Sequence, residues 1–106
     1  MGMVDTSVLI ELVSSGREVV GDACMVSVIE YPTIMEYRKF KGSIIIPDIK
    51  DFELALDMQR RLRASGNSKQ AADLLIAAVC LNNGKSLKTH DRDFEDIAAV
   101  SGLVLE

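Results

Sequence analysis

The chain has 106 residues, of which 48 % are hydrophobic and only 5 % aromatic, and its formal net charge at pH 7 is −4. This length is that of a single domain, residues 1–106, and the aliphatic composition favours a folded core over a disordered chain. No apolar run approaches the roughly 20 residues that span a bilayer, and the first residues lack the basic and apolar regions of a signal peptide. The acidic balance weakens a nucleic-acid-binding function without excluding it, because proteins that neutralise phosphates are usually basic.

The two cysteines, Cys24 and Cys80, both stand in apolar surroundings, Ala-Cys-Met-Val and Val-Cys-Leu. No second cysteine or histidine follows either of them at the spacing of a metal-ligand pair. We therefore expect reduced thiols in the core of a cytoplasmic protein, rather than a disulfide or a zinc site.

The order of apolar runs and turn residues predicts strands that alternate with helices. In chain order the pattern predicts a strand at 1–4, a helix at 6–13, a strand at 25–29, a helix at 32–41, a strand at 43–46, a helix at 49–64, a helix that begins after Asn67 or Ser68 and ends at 82–84, a strand at 86–88, a helix from Asp91 or Arg92 to Ala99, and a strand at 103–105. Such alternation is typical of βαβ units, in which helices cover both faces of a parallel sheet. The predicted fold class is α/β, with three α/β/α layers.

Capping and terminating residues set several of these predicted ends. Asp5 stands at the N-cap position of the first helix, and Pro32 suits the first turn of the second. The run from Asp48 to Asp51 begins the third long helix, and Gly66 ends it.

The most informative segment is the helix predicted around Asp73. From Ala71 to Leu81 every residue except Asp73 is apolar, and a helix that is apolar on nearly all sides is a buried one. A bare carboxylate in such surroundings costs several kcal/mol. Asp73 is therefore expected to be protonated, paired or bound to a metal ion.

Three further acids stand where they would meet Asp73. Asp5, Glu30 and Asp91 each lie at or just past the carboxyl end of a predicted strand, and this edge of an open parallel sheet is where ligands bind. Asp73, about one turn into its helix, would reach the same edge. Four carboxylates would then converge, and such hard oxygen ligands suit Mg²⁺ or Mn²⁺.

Structural roles also account for these acids one at a time. Asp5 and Asp91 each open a predicted helix and would serve as N-caps, and Glu30 would meet a helix dipole. Asp73 would need a partner such as Lys69 or Arg92. Four such coincidences in one order favour a shared site.

Two basic clusters, at 38–41 and at 60–63, would either hold RNA phosphates or form solvated helix faces.

Four segments of the chain resemble the PIN-domain family of metal-dependent nucleases, and most closely its short prokaryotic and archaeal members, many of which are VapC-type toxins. The segments are Val4-Asp-Thr-Ser-Val-Leu-Ile10, Met25-Val-Ser-Val-Ile-Glu30, Ala71-Ala-Asp-Leu-Leu-Ile-Ala-Ala78 and Leu87-Lys-Thr-His-Asp-Arg-Asp-Phe94. The resemblance implies a parallel five-stranded sheet of order 3-2-1-4-5 between helices. It also implies a cytoplasmic ribonuclease that uses Mg²⁺ or Mn²⁺, a homodimer, and an antitoxin protein as a second partner besides RNA.

The same resemblance implies a role for each matching residue. The catalytic acids would be Asp5, Glu30, Asp73 and Asp91, of which Asp5, Asp73 and Asp91 would ligate metal together with Asp93. The hydroxyls of Thr6, Ser7 and Thr89 would position water or substrate. His90, the only histidine, would point away from Asp91. The chain departs from the family in being short on either side of Glu30, where the helical hairpin that helps form the dimer and the wall of the active site is expected to be reduced to one helix.

Two alternatives remain open from the residues alone. The first is a PIN-like domain without catalysis that serves as a scaffold or binds RNA, which the shortened helices favour and the intact acids oppose. The second is a receiver-like phosphoacceptor domain, which shares the doubly wound topology. That class would need a pair of acids after the first strand, where Asp5 stands alone, and a lysine late in the sheet, for which Lys88 is a loose candidate.

Overall fold

The computed structural model describes residues 2–106, and this part of the chain forms an α/β fold with small parallel sheets. Its four strands are only two residues long each: β1 (Met3–Val4), β2 (Ala23–Cys24), β3 (Ile44–Ile45) and β4 (Leu87–Lys88). The helices are α1 (Thr6–Ser14), α2 (Met25–Glu30), α3 (Ile49–Ala64), α4 (Ala71–Asn82) and α5 (Asp93–Ser101), with a 3-10 helix at Pro32–Glu36.

Parallel pairing sets the order of the strands. β1 pairs with β4 and β2 pairs with β3, and a parallel bridge between Met3 and Asp22 joins the two pairs. The resulting order, 3-2-1-4, agrees with the first four positions of the expected sheet. A five-stranded sheet is not formed by residues 2–106, because the predicted strand at 103–105 is reduced to one bridge between Leu87 and Leu105. Residue 1 of the first predicted strand lies outside the described residues.

The predicted strand at 25–29 is wrong, because these residues form helix α2 and the strand comes before them, at Ala23–Cys24. Their β-branched side chains favour a strand locally, yet the adjacent residues Ser27 and Val28 are both buried. The next two residues, Ile29 and Glu30, are both exposed, so burial follows one face of a helix and neither the alternation of a half-buried strand nor the continuous burial of a central one. Tertiary packing thus overrides the local preference. Glu30 therefore ends a helix and does not follow a strand.

Three other predicted helices also need their boundaries corrected. The helix expected at 32–41 is only the 3-10 turn Pro32–Glu36. Helix α4 has Gln70 at its N-cap position, rather than Asn67 or Ser68. The last helix begins at Asp93 and not at 91 or 92.

The core forms around α4, whose residues 76–80 are all buried. Helix α3 packs beside α4 and buries Met58 and Leu62 in the same cluster. Cys24 and Cys80 are buried free thiols there, as expected, and burial raises the pKa of Cys80 to about 12. No helix among the described residues is both long and apolar enough to cross a membrane.

Candidate metal centre

The parallel pairing of β1 with β4 places Asp5 beside Thr89. Val4 and Lys88 are partners in the two strands, so the residues that follow them leave the sheet side by side. The backbone N–H of Asp5 donates to the carbonyl of Lys88 at 2.9 Å, and the hydroxyl of Thr89 donates to Oδ2 of Asp5 at 2.7 Å. The same carboxylate oxygen accepts from the hydroxyl of Ser7 at 3.1 Å.

The side chain of Asp5 does not cap helix α1. Asp5 occupies the N-cap position of α1, but its side chain makes no capping hydrogen bond. The residue is buried, with 5 % of its surface exposed, and a carboxylate buried at that depth needs compensation. The two hydroxyls on Oδ2 supply part of it, and they orient the carboxylate at the carboxyl edge of the sheet.

Thr89 also connects Asp5 to Asp91. Its Oγ1 accepts a hydrogen bond from the backbone N–H of Asp91 at 3.0 Å while its proton goes to Asp5. Oδ1 of Asp91 in turn accepts from the N–H of Asp93 at 2.9 Å, just at the start of α5. Arg92, and not Asp91, occupies the N-cap position of α5, and the bond from Asp93 engages only one of the two carboxylate oxygens of Asp91.

Three carboxylates meet at this place. One oxygen from each of Asp73, Asp91 and Asp93 lies within 4.8 Å of the other two. Asp73 comes from the first turn of the buried helix α4, and the other two come from the segment that leads into α5. The topology thus joins residues that are far apart in the sequence. Three acids this close are the oxygen donor set that hard divalent ions prefer.

Without a cation, this arrangement disfavours the ionised form of Asp73, as its pKa shows. Burial, followed by repulsion from Asp91, Asp5, Asp93 and Glu30, raises the pKa of Asp73 to about 6. Like charges that share a site disfavour ionisation in this way. A divalent cation would relieve the same repulsion, so the donor set and its field both fit Mg²⁺ or Mn²⁺.

Glu30 faces the site from the end of α2. The hydroxyl of Thr6 lies 2.6 Å from Oε1 of Glu30 and 2.9 Å from Oγ of the buried Ser27. With one proton to donate, Thr6 can give it to Glu30 and accept from Ser27. Glu30 is exposed and lies outside the three-acid cluster. Its charge nevertheless contributes to the raised pKa of Asp73, after burial and the other three acids.

Lys69 does not pair with Asp73, as it would have to if Asp73 had only a structural role. Its Nζ instead lies 2.7 Å from Oδ2 of Asp96 and 3.5 Å from Oδ1 of Asp93. The Lys69 side chain is only 11 % exposed, and the hydrogen bond to Asp96 raises its pKa. Among residues 2–106 no ion pair to Asp73 is formed, and Arg92 does not supply one.

Sequence reasoning missed how Lys69 is held. Gln59 of α3 binds the backbone of Lys69 on both sides: its Nε2 donates to the carbonyl at 2.6 Å, and its Oε1 accepts from the N–H at 3.0 Å. Lys69 therefore ties α3, the start of α4 and the start of α5 together beside the acids. Nothing in the sequence pattern marks a glutamine ten residues away as its partner.

His90 points away from the acids, as expected. Its ring contacts the carboxylate of Glu11 on α1, while its backbone N–H donates to the hydroxyl of Ser7 at 3.3 Å. Glu11 also pairs with Arg17 at 3.1 Å. The hydrogen bond from His90, helped by Arg17, lowers the pKa of Glu11. These contacts fasten the segment that carries Thr89 and Asp91 to the first helix.

Comparison by sequence gives no relative: no protein-family model matches the chain, and neither does any curated protein. Comparison by fold is more informative. The crystal structure of DNA-bound VapBC from Salmonella typhimurium contains a chain with a TM-score of 0.82 at 16 % identity, over 98 % of this chain and 95 % of that one. FitAcB from Neisseria gonorrhoeae gives 0.75 at 16 % identity, over 99 % and 96 %. A toxin–antitoxin complex from Klebsiella pneumoniae gives 0.70 at 17 % identity, over 98 % and 96 %.

At these identities the likeness is one of fold, and it extends over nearly the full length of both chains in each pair. The segment around Glu30, expected to be shortened, thus does not prevent the two folds from matching. This chain has the fold of a chain found in VapBC and FitAcB structures.

Proposed function

We propose that this protein is a metal-dependent endoribonuclease that acts as the toxin of a toxin–antitoxin pair. The observation that supports the nuclease most directly is the meeting of carboxylate oxygens from Asp73, Asp91 and Asp93 within 4.8 Å. An array of acids at the carboxyl edge of a parallel sheet is a common place for phosphate chemistry assisted by Mg²⁺ or Mn²⁺. The fold shared with toxin–antitoxin structures supports the biological role.

The acids have two kinds of role in this proposal. Asp73, Asp91 and Asp93 would hold a divalent ion, and Asp5 would complete the ligand set from the end of the neighbouring strand β1. When bound, the ion lowers the pKa of a water molecule and neutralises charge on the phosphate that is attacked. Glu30 then stands apart as a base or as a holder for a second ion, oriented by the hydroxyl of Thr6.

The hydroxyls of Ser7 and Thr89 are positioning groups. Both donate to Oδ2 of Asp5, and neither uses the other oxygen of that carboxylate. Thr89 also fixes the backbone of Asp91. A carboxylate held by such hydrogen bonds keeps its direction, and this lowers the cost of ordering it around an ion.

RNA is the proposed substrate, and a protein antitoxin and a second copy of the chain are the proposed partners. The structure from Klebsiella pneumoniae is described as a toxin–antitoxin complex, and VapBC names the assembly in the Salmonella typhimurium structure. We extend this association to the present chain because its fold is the same over nearly its whole length. Action in the cytoplasm follows from an RNA target.

An RNA cleavage assay with Mg²⁺, Mn²⁺ or EDTA tests the nuclease. The wild-type protein is expected to cut RNA only with a metal ion, and Asp73→Asn is expected to abolish cutting. Glu95→Gln is the matched control, because Glu95 is an exposed acid of α5 whose side chain makes no hydrogen bond or ion pair within residues 2–106. Cleavage that persists in EDTA would contradict the proposal, and no cleavage of varied RNAs would favour a scaffold without catalysis.

A further inference from the structure

Ser27 is a buried polar residue in the short helix α2. Its exposed fraction is 0 %, and its neighbour Val28 is buried in an apolar cluster. A hydroxyl buried without a hydrogen bond destabilises a fold. Within residues 2–106 the side chain of Ser27 makes one hydrogen bond, with the hydroxyl of Thr6 at 2.9 Å. An alanine would fill nearly the same space and need no partner, so packing alone does not explain the hydroxyl.

The parallel sheet brings Thr6 and Ser27 together. A bridge between Met3 and Asp22 makes β1 and β2 neighbours, and helices α1 and α2 follow these strands with at most one residue between. Both helices therefore begin at the same edge of the sheet. Ser27 and Glu30 are three positions apart on α2, which places them on one side of the helix. Both of them contact Thr6, the first residue of α1.

The hydrogen bonds among these three side chains have a fixed direction. The ionised carboxylate of Glu30 only accepts, so the bond of 2.6 Å between Thr6 and Oε1 of Glu30 uses the single proton of the threonine hydroxyl. Thr6 therefore accepts at its other contact, and the proton there comes from Ser27. Hydrogen bonds that run in series strengthen one another. The chain of bonds thus runs from the buried Ser27 through Thr6 to Glu30.

This chain of bonds restrains the side chain of Glu30. Glu30 ends α2 and is exposed, and an exposed glutamate ordinarily keeps the rotational freedom of its side chain. The bond from Thr6 holds Oε1 in place. Thr6 is itself partly exposed, so its hydroxyl would turn toward water if no donor fixed it. The proton of Ser27 occupies the acceptor side of that hydroxyl and keeps the proton of Thr6 on Glu30.

We propose that Ser27 is a positioning residue, which acts through Thr6 to hold the carboxylate of Glu30 in one orientation. Its effect on catalysis rests on the proposed nuclease, in which Glu30 is a base or a holder for a second ion. The restraint on Glu30 needs neither a metal ion nor RNA. A Ser27 with only a structural role would fasten α2 to α1 and leave the carboxylate of Glu30 unaffected.

A double-mutant cycle on metal-dependent RNA cleavage tests whether Ser27 acts through Thr6. Ser27→Ala removes one neutral hydrogen bond and is expected to lower kcat about 3- to 10-fold. Thr6→Val removes the bond to Glu30 directly and is expected to lower kcat about 10- to 100-fold. The double variant Ser27→Ala/Thr6→Val is expected to match Thr6→Val to within about twofold, with KM and the affinity for Mn²⁺ unchanged. If Ser27→Ala slows the Thr6→Val protein as much as it slows the wild type, the proposal is overturned.

Two control variants separate this role from a general loss of hydroxyl groups. Thr6→Ser keeps a hydroxyl at the same position and is expected to retain kcat within about threefold of the wild type. Ser101→Ala removes a partly buried serine hydroxyl at the far end of α5, where it donates to the carbonyl of Ile97 at 2.6 Å. This variant is expected to keep the wild-type kcat even if its melting temperature falls.

NMR of the Glu30 carboxyl carbon, without metal and at pH 7 where a glutamate is ionised, gives a readout that needs no enzymatic activity. The signal is assigned by its absence in Glu30→Gln. Ser27→Ala and Thr6→Val are both expected to move it toward the value of a freely solvated glutamate, and Ser101→Ala is expected to leave it in place. If the wild type cleaves no RNA, the proposed nuclease fails, and this signal still decides the role of Ser27. A Glu30 signal that Ser27→Ala does not move would overturn the proposal, with or without cleavage.

Discussion

The hydroxyl of Thr89 donates to the carboxylate of Asp5, at 2.7 Å, across 84 positions of sequence. This bond is possible because β1 and β4 are neighbours and parallel, so both residues leave the sheet at the same edge. Thr89 thereby connects the segment that carries Asp5 to the segment that carries Asp91. The relationship explains why a small hydroxyl residue at this position matters to residues so far away.

Removing the hydroxyl of Thr89 is expected to weaken metal binding without removing any ligand. In Thr89→Val both the bond to Asp5 and the acceptor for the N–H of Asp91 are lost. Loss of such supporting bonds typically lowers metal affinity by about 10- to 100-fold. Titration calorimetry with Mn²⁺ measures this effect. Thr89→Ser keeps the hydroxyl and is expected to bind nearly as the wild type does, whereas equal affinity in all three proteins would contradict the role given to Thr89.

Asp73→Asn is expected to stabilise the metal-free protein. The pKa of Asp73 is raised from 3.8 to about 6 in the fold, so its ionised form is disfavoured by folding. The resulting penalty appears as the pH rises above the unfolded value and is complete above the folded value. An asparagine removes it, which corresponds to about 1–3 kcal/mol of unfolding free energy at pH 7.

Chemical denaturation at several pH values checks this sign. The stability difference between Asp73→Asn and the wild type should shrink as the pH falls from 7 through about 6, and it should vanish only below the unfolded value of 3.8, where the wild-type carboxyl is protonated in both states. Saturating Mg²⁺ should reverse the ranking, because an ion that binds only the folded wild type stabilises it. If the Asp73→Asn variant without metal is less stable than the metal-free wild type at pH 7, the ionised Asp73 stabilises the fold, and the prediction is contradicted.

Lys69→Met is expected to separate the stability of the fold from metal affinity. The nearly buried Lys69 neutralises Asp96 and Asp93, so its loss should lower the melting temperature of the metal-free protein. It also removes a positive charge beside the acids, so Mn²⁺ should bind more tightly to the variant. Lys69→Arg keeps the charge and serves as the control. A variant that binds Mn²⁺ more weakly would show that holding Asp93 in place outweighs the charge of Lys69.

The long helices could be predicted from the sequence because their signals are local. Helix α3 has the predicted bounds, Ile49–Ala64, since Asp48 and Asp51 form a reciprocal capping box at its start and Gly66 takes a positive φ after its end. Asp73 can be chosen as a candidate for the same reason, because a single acid in an apolar helix is a local signal in the sequence.

The short elements could not be predicted, because strands of two residues have no periodicity to detect. The β-branched residues predict a strand at 25–29, whereas Met25–Glu30 forms a helix that buries Ser27 and Val28. The two hydrogen bonds between the Gln59 side chain and the Lys69 backbone depend on how α3 packs against the start of α4. Such contacts follow from tertiary structure, and neither segment has a sequence pattern that predicts them.

The measurement that tests the metal centre most directly is a titration with Mn²⁺, followed by electron paramagnetic resonance of the free ion. We expect the wild type and the Glu95→Gln control to bind Mn²⁺ with the same affinity and Mg²⁺ to displace it. Asp73→Asn is expected to lose this binding while staying folded. A wild type that leaves Mn²⁺ free, or an Asp73→Asn variant that binds it equally well, would contradict a metal centre at Asp73, Asp91 and Asp93.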